Sequence, residues 1–264
     1  MSHQGKGGQM VAGVELTYNT NASALQMANT IFGNGVQVTG ASYSGSSYSS
    51  AIYSNGDAVA GNVTPSDTGV ILSTGSATRF TNNNNSQSNL SSSTSVNSAG
   101  ANNDSDFNDI AGASTYDASF LTVDFIPDQD VETMTMQFVF SSDEYPEYTN
   151  SIYNDMVGVW INGSHVPLSI ASSGTAINSV NQNNNVNLYN DNTQDQFNTE
   201  MDGFTITMTL TIPLTPNAVN SIRIGIADVG DSSYDYNVLI GANSVQHRWV
   251  AEQDYVTMEH GAPN

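Results

Sequence analysis

Apolar side chains recur at every second position in stretch after stretch of this 264-residue chain. Leu121, Val123 and Phe125 alternate, then Met134, Met136, Phe138 and Phe140, then Phe204, Ile206, Met208, Leu210 and Ile212, then Ile222, Ile224 and Ile226. A period of two puts one set of side chains on one face of a strand, so each stretch needs a second layer to bury that face. Val36 and Val38, the runs Gly69–Ser73 and Val238–Ile240, and Met156–Ile161 add further strands, with Asn162-Gly163 as a type I′ hairpin turn into Val166 and Leu168. A helical period occurs once: Leu25, Ala28, Ile31 and Phe32 share a face, Thr20 or Asn21 stands where a cap is needed, and Gly33 where the helix should stop. The spacing predicts a mainly β fold, a two-sheet antiparallel sandwich or jelly roll with one N-terminal helix packed on it.

Residues 1–10 read as a flexible tail and 11–250 as a single β-sandwich domain opening with a strand over Val11 to Tyr18. Residues 251–264 read as a linker towards a following module. Thr81 to Gly100 and Asn178 to Gln196 are built of Asn, Ser, Thr, Gln and Asp, and neither can supply a core. They read as long surface loops or as the walls of a binding site. No run approaches the roughly 20 apolar residues of a membrane helix, and Met1-Ser2-His3-Gln4-Gly5-Lys6 lacks the apolar stretch of a signal peptide behind it.

The electrostatics are one-sided: 4 Lys and Arg face 25 Asp and Glu, a formal net charge of −21. Nucleic acid is excluded as a partner, because nothing here neutralises phosphates. Lys6, Arg79, Arg223 and Arg248 carry the fixed positive charge, so the carboxylates must face water, titrate upward or bind cations. With no cysteine, disulfides and thiolate metal sites are ruled out, which leaves hard ions on oxygen ligands, Ca2+ foremost.

Three acidic clusters are the candidate metal ligands. The first offers Asp104, Asp106 and Asp109, in a run that fails the EF-hand pattern because Asp109 stands where its Gly is required and Thr115 where its Glu is required. The second, after Phe140, offers Glu144 and Glu147, with Asp155 ahead of the next strand. The third is a short loop between strands, where Gly230 permits a tight turn and Asp228, Asp231, Asp235 and Asn237 offer oxygens. Enzymatic signatures are missing: there is no Gly-x-Ser-x-Gly elbow, phosphate loop or His-Glu-x-x-His, and His165 and His247 read as surface histidines. A carboxylate pair among Glu144, Glu147 and Asp155 for glycan hydrolysis stays open as an alternative. So does a carbohydrate-binding cleft using Tyr145, Tyr148 and Tyr234 as platforms, Trp160 reading as core instead, and so does a self-assembling structural subunit.

Phe140-Ser141-Ser142-Asp143-Glu144-Tyr145-Pro146-Glu147-Tyr148, followed by Tyr153-Asn154-Asp155, resembles the choice-of-anchor L domain of bacterial secreted and surface proteins. Ile226 to Asp235 is similar to that family's closing motif, Gly69 to Gly75 to its early strand, and Asp104-Ser105-Asp106-Phe107 to an Asp-x-Asp-Leu motif with Phe in place of Leu. Asp143 stands where Glu is usual, and the Asn-rich stretch after Asn181 departs from the family pattern. The resemblance implies a non-enzymatic extracellular domain on a larger surface or secreted protein. The tail Asp254 to Gly261 is similar to the opening of the Ig-like modules of giant RTX-type adhesins, which implies type I secretion without an N-terminal signal peptide. Together these readings point to a calcium-stabilised cell-surface adhesin module, its partners divalent cations and a glycan or a host or abiotic surface.

Overall fold

The computed structural model describes residues 11–85, 98–128, 130–144, 156–167, 175–176, 189–230 and 232–247. The strands are β1 (Thr17–Asn19), β2 (Val36–Ser44), β3 (Ser50–Ser54), β4 (Gly69–Ser73), β5 (Thr115–Pro127), β6 (Thr133–Ser142), β7 (Met156–Ile161) and β8 (Ser164–His165). They continue with β9 (Thr175–Ala176), β10 (Tyr189–Asp191), β11 (Gly203–Thr205), β12 (Met208–Pro213), β13 (Asn220–Val229), β14 (Tyr236–Gly241) and β15 (Gln246–His247). One antiparallel sheet runs β1-β3-β4-β14-β6-β11-β10, with β12 and β15 also on β6; the other runs β2-β5-β13-β7-β8, with β9 on β7. The two-layer, mainly β architecture expected from the alternation is what the protein adopts.

The inner faces meet in one core. Leu121, Val123 and Phe125 of β5 and Ile222, Ile224 and Ile226 of β13 face Met134, Met136, Phe138 and Phe140 of β6 and Val238 and Ile240 of β14. Each such residue, once buried, contributes about 1.5–3 kcal/mol. β4 reads as an unbroken apolar run because both of its faces are covered. Val70 and Leu72 belong to the inner core, while Ile71, with Val139 and Leu239, packs on the outer side against Leu16, Tyr53, Phe80 and Phe204. The Asn162-Gly163 turn joins β7 to β8 with φ of 50° and 84°, the left-handed pair that a type I′ hairpin requires.

The helix is α1 (Ala24–Ile31), and three of its sequence-based details are corrected. Its cap is Ser23, not Thr20 or Asn21: the Ser23 hydroxyl accepts from the Gln26 N–H and the Gln26 side chain accepts the Ser23 N–H in return. Its buried face is Met27, Ala28 and Ile31, with Leu25 49% exposed. It ends because Phe32 turns extended to bridge Val245, before Gly33 is reached. Two shorter helices go beyond the expected elements, α2 (Gly56–Ala60) and α3 (Ser105–Ala111). The first strand is also shorter than expected, three residues at Thr17–Asn19.

The stretch Phe204 to Ile212 is two strands rather than one. Both pieces lie along β6, but the Thr205 hydroxyl accepts the Phe140 N–H in place of a ladder carbonyl, and Ile206 is turned out to 41% exposure.

Candidate acidic site at one end of the sandwich

β5 and β13 slip register between Ile226 and Asp228, leaving Asp117 and Ala118 opposite the single residue Ala227. Such a bulge re-aims a side chain. Asp117 takes φ 54°, a left-handed conformation that Asp tolerates better than most residues, and its N–H is held by the Asn102 side chain. The alternation that buries Ile222, Ile224 and Ile226 continues to Asp228, which is 2% exposed. Across the sandwich, β14 is preceded by Asp235, 3% exposed, whose carbonyl accepts the Asp143 N–H at the end of β6. Gly75 leaves room for the Asp235 carboxylate, since a Cβ there would collide with it.

Asp117, Asp228 and Asp235 are thus brought to one end of the sandwich from three strand ends. Burial pushes the Asp117 carboxyl up to about 6; a hydrogen bond from Ser98 opposes the rise, the charge of Asp235 adds to it, and a hydrogen bond with Asp228 opposes it. Its Oδ2 is buried and receives no hydrogen bond from the described residues. With its carboxyl raised to about 6, Asp117 is ionised at neutral pH only against the cost of burial and the repulsion of Asp235. Asp143 and Glu144, at the end of β6, are fully buried as well. Asn237 donates to Ser141 Oγ and Met201 Sδ, while its buried Oδ1 accepts nothing from the described residues.

The first cluster sits elsewhere and has met a cation. Asp104 caps α3, accepting from the N–H groups of Asp106 and Phe107, and binds Arg223 of β13 through both oxygens at 2.9 and 2.5 Å. Asp106 accepts from the same guanidinium at 2.6 Å. Burial raises the Asp104 carboxyl, but the bond from Arg223 and the two N–H donors outweigh it and hold the group below the usual carboxylate range. The guanidinium lies 3.7 Å over the Phe120 ring, with Phe107 and Trp160 edge to face beside it. The run read as an acidic loop is therefore the capped start of a helix, tied to the outer face of the second sheet. Asp109 is exposed on that helix.

Trp160 is buried at 5%, as expected of a strand tryptophan, and His165 lies beside it, its pKa lowered by desolvation. Tyr234 is half-buried against the core. Glu147, Asp155, Asp231, Tyr145 and Tyr148 lie outside the described residues. Among the described residues, no three acids or histidines are already arranged to hold a metal ion. Sequence reasoning missed Asp117, whose only local signal is an Asp in a strand, and Arg223 as the partner of Asp104 and Asp106.

Fold and site together define a mainly β sandwich module with a buried acidic end. The sequence profile of the choice-of-anchor L domain matches residues 15–246, and the protein belongs to that family. Membership makes it a surface-associated extracellular module. No curated protein and no solved structure matches it. Among the described residues, no helix is long and apolar enough to cross a membrane.

Proposed function

We propose that the protein is a calcium-stabilised, non-enzymatic adhesin module that serves attachment at the cell surface. The observation that supports this reading is the buried end of the sandwich, where Asp117, Asp228 and Asp235 converge and Asp117 Oδ2 receives no donor from the described residues. Buried like charges destabilise one another unless protonated or bridged by a cation. All ligand atoms there are hard oxygens, the chemistry that suits Ca2+ and disfavours softer metals. Asp117, Asp228 and Asp235 would hold the ion, and drawing them into one shell would close the ends of β5, β13 and β14 on each other. At a few hundred to a thousand times Kd such a site adds roughly 3 to 4 kcal/mol to the folded state. In a calcium-poor cytoplasm the polypeptide would stay loose enough for export and would set outside.

The test is thermal unfolding of the purified protein in EDTA, in magnesium and in millimolar calcium, with bound metal read by mass spectrometry. A calcium-specific rise of about 10 °C, lost in Asp228→Asn, is the expected result. Equal melting in all three buffers and no bound metal would refute the ionic reading.

A further inference from the structure

Three Asn-Gly steps occur in the sequence, Asn34-Gly35, Asn55-Gly56 and Asn162-Gly163. Such steps are chemically fragile, because glycine offers an unhindered main-chain nitrogen to the side-chain amide before it. The fold treats the three differently. Asn55 Nδ2 donates to Thr17 Oγ1, and the Gly56 N–H, the nucleophile in waiting, is engaged by the Asp67 carbonyl at 2.9 Å. Asn162 is held at both ends of its amide: Nδ2 donates to Asn220 Oδ1, and Oδ1 accepts the Ser221 N–H, each at 2.9 Å. Asn34 is exposed in the turn between α1 and β2, and among the described residues neither its side chain nor the Gly35 N–H finds a hydrogen-bond partner.

We infer that Asn34 is a site of spontaneous deamidation in the folded protein, and that Asn55 and Asn162 are protected by the contacts just described. The Gly35 nitrogen attacks Asn34 Cγ and forms a new C–N bond. The bond from Cγ to Nδ2 breaks, and the amide leaves as ammonia with the proton given up by the Gly35 nitrogen. Water then opens the cyclic imide at either carbonyl, giving aspartate or isoaspartate at position 34. The consequence is local but structural. The Asn34 carbonyl accepts the His247 N–H at 3.2 Å and the Gly35 carbonyl accepts the Asp128 N–H at 2.9 Å, so this turn pins β15 and the end of β5. In isoaspartate the main chain runs through Cβ and Cγ and is one methylene longer, while the Asn34 carbonyl that accepts the His247 N–H becomes a branch carboxylate, so the turn cannot keep both bonds in their present geometry. A new carboxylate is also added to a protein already at −21.

The full-length protein is incubated at mildly alkaline pH and body temperature, natively and in urea, then digested, and the three Asn-Gly peptides are followed by mass spectrometry with a fragmentation method that distinguishes isoaspartate. Native protein should convert at Asn34 many times faster than at the other two positions, while in urea the three rates should draw together. Asn34→Gln should leave the native protein free of rapid conversion. Equal native rates at all three steps, or native conversion at Asn55 or Asn162 ahead of Asn34, would overturn the inference.

Discussion

Asp117→Asn separates the charge of the acidic end from its shape. In the wild type the carboxyl has to be held at neutral pH in a place that raises it from 3.8 to about 6, which costs the folded state about 3 kcal/mol once the group is ionised. The sign follows from linkage. The folded state holds this proton more tightly than the unfolded state, so the penalty is fully present above pH 6 and is relieved as the pH falls from 6 towards 3.8. Asn keeps the size and an acceptor oxygen, brings a donor that Asp228 accepts, and carries no charge. In EDTA at pH 7.5 the variant should therefore melt about 6 to 12 °C above the wild type, a span set by about 3 kcal/mol in a protein of this size. At pH 4.5 about a third of that gap, roughly 1 kcal/mol, should remain, and the two curves should nearly coincide only below the unfolded-state value of 3.8. On the proposed calcium reading, millimolar calcium should reverse the order at pH 7.5, because the wild type would then gain a bridge that the variant has lost a carboxylate from. Differential scanning calorimetry across the pH series, with and without EDTA, reads all of this in one protein pair. An Asp117→Asn protein that melts no higher than the wild type in EDTA at pH 7.5 would refute the reasoning, whatever calcium does.

Asp104→Ala removes the α3 cap and half of the clamp on a largely buried guanidinium, and should cost about 2 to 4 kcal/mol by urea unfolding at pH 7. Asp104→Asn should cost less because the cap acceptor survives; and since this carboxyl is held below its usual range, its contribution is present above about pH 4 and fades as the pH falls further. Ser23→Ala opens the α1 capping box and should cost about 1 kcal/mol in the same assay, with Ser23→Asp close to neutral.

The layers were legible because alternation is a local signal. Met134 to Phe140 and Ile222 to Ile226 each state their own buried face, and Asn162-Gly163 states its own turn, without reference to any distant residue. The α1 cap was a local misreading, since Ser23 and Gln26 lie three residues apart, but the errors in the sheets fall where a second segment decides. Phe204 to Ile212 alternates without a break, but the Thr205 hydroxyl and the Phe140 N–H divide it, and those two lie 65 residues apart. Helix α3 carried its signals, an Asp at the cap and Gly112 in the left-handed conformation at its end, yet its seven residues are too few for a helical period to show through the acids. Asp228 and Asp235 could be placed together because a short loop joins their strands. Asp117 could not, because its aim depends on a register slip against β13.

Excess carboxylate is handled in more than one way within this one domain. Arg223 takes Asp104 and Asp106 at once and is covered by Phe120, Phe107 and Trp160, while the Asp106 side chain stays 46% exposed and keeps solvent as well. Asp109 is left to water on the exposed side of the same helix. At the far end of β13 the sequence supplies neither arginine nor exposure, and Asp117 answers by keeping its proton to a higher pH. A proton and a divalent cation relieve the same repulsion, and on the proposed calcium reading an extracellular medium supplies the cation in place of the proton. On that reading the stability of the acidic end would be set by the medium, whereas Asp104 and Asp106 already have the Arg223 guanidinium beside them. That difference makes Asp117, Asp228 and Asp235, rather than Asp104 and Asp106, the residues on which the calcium reading stands.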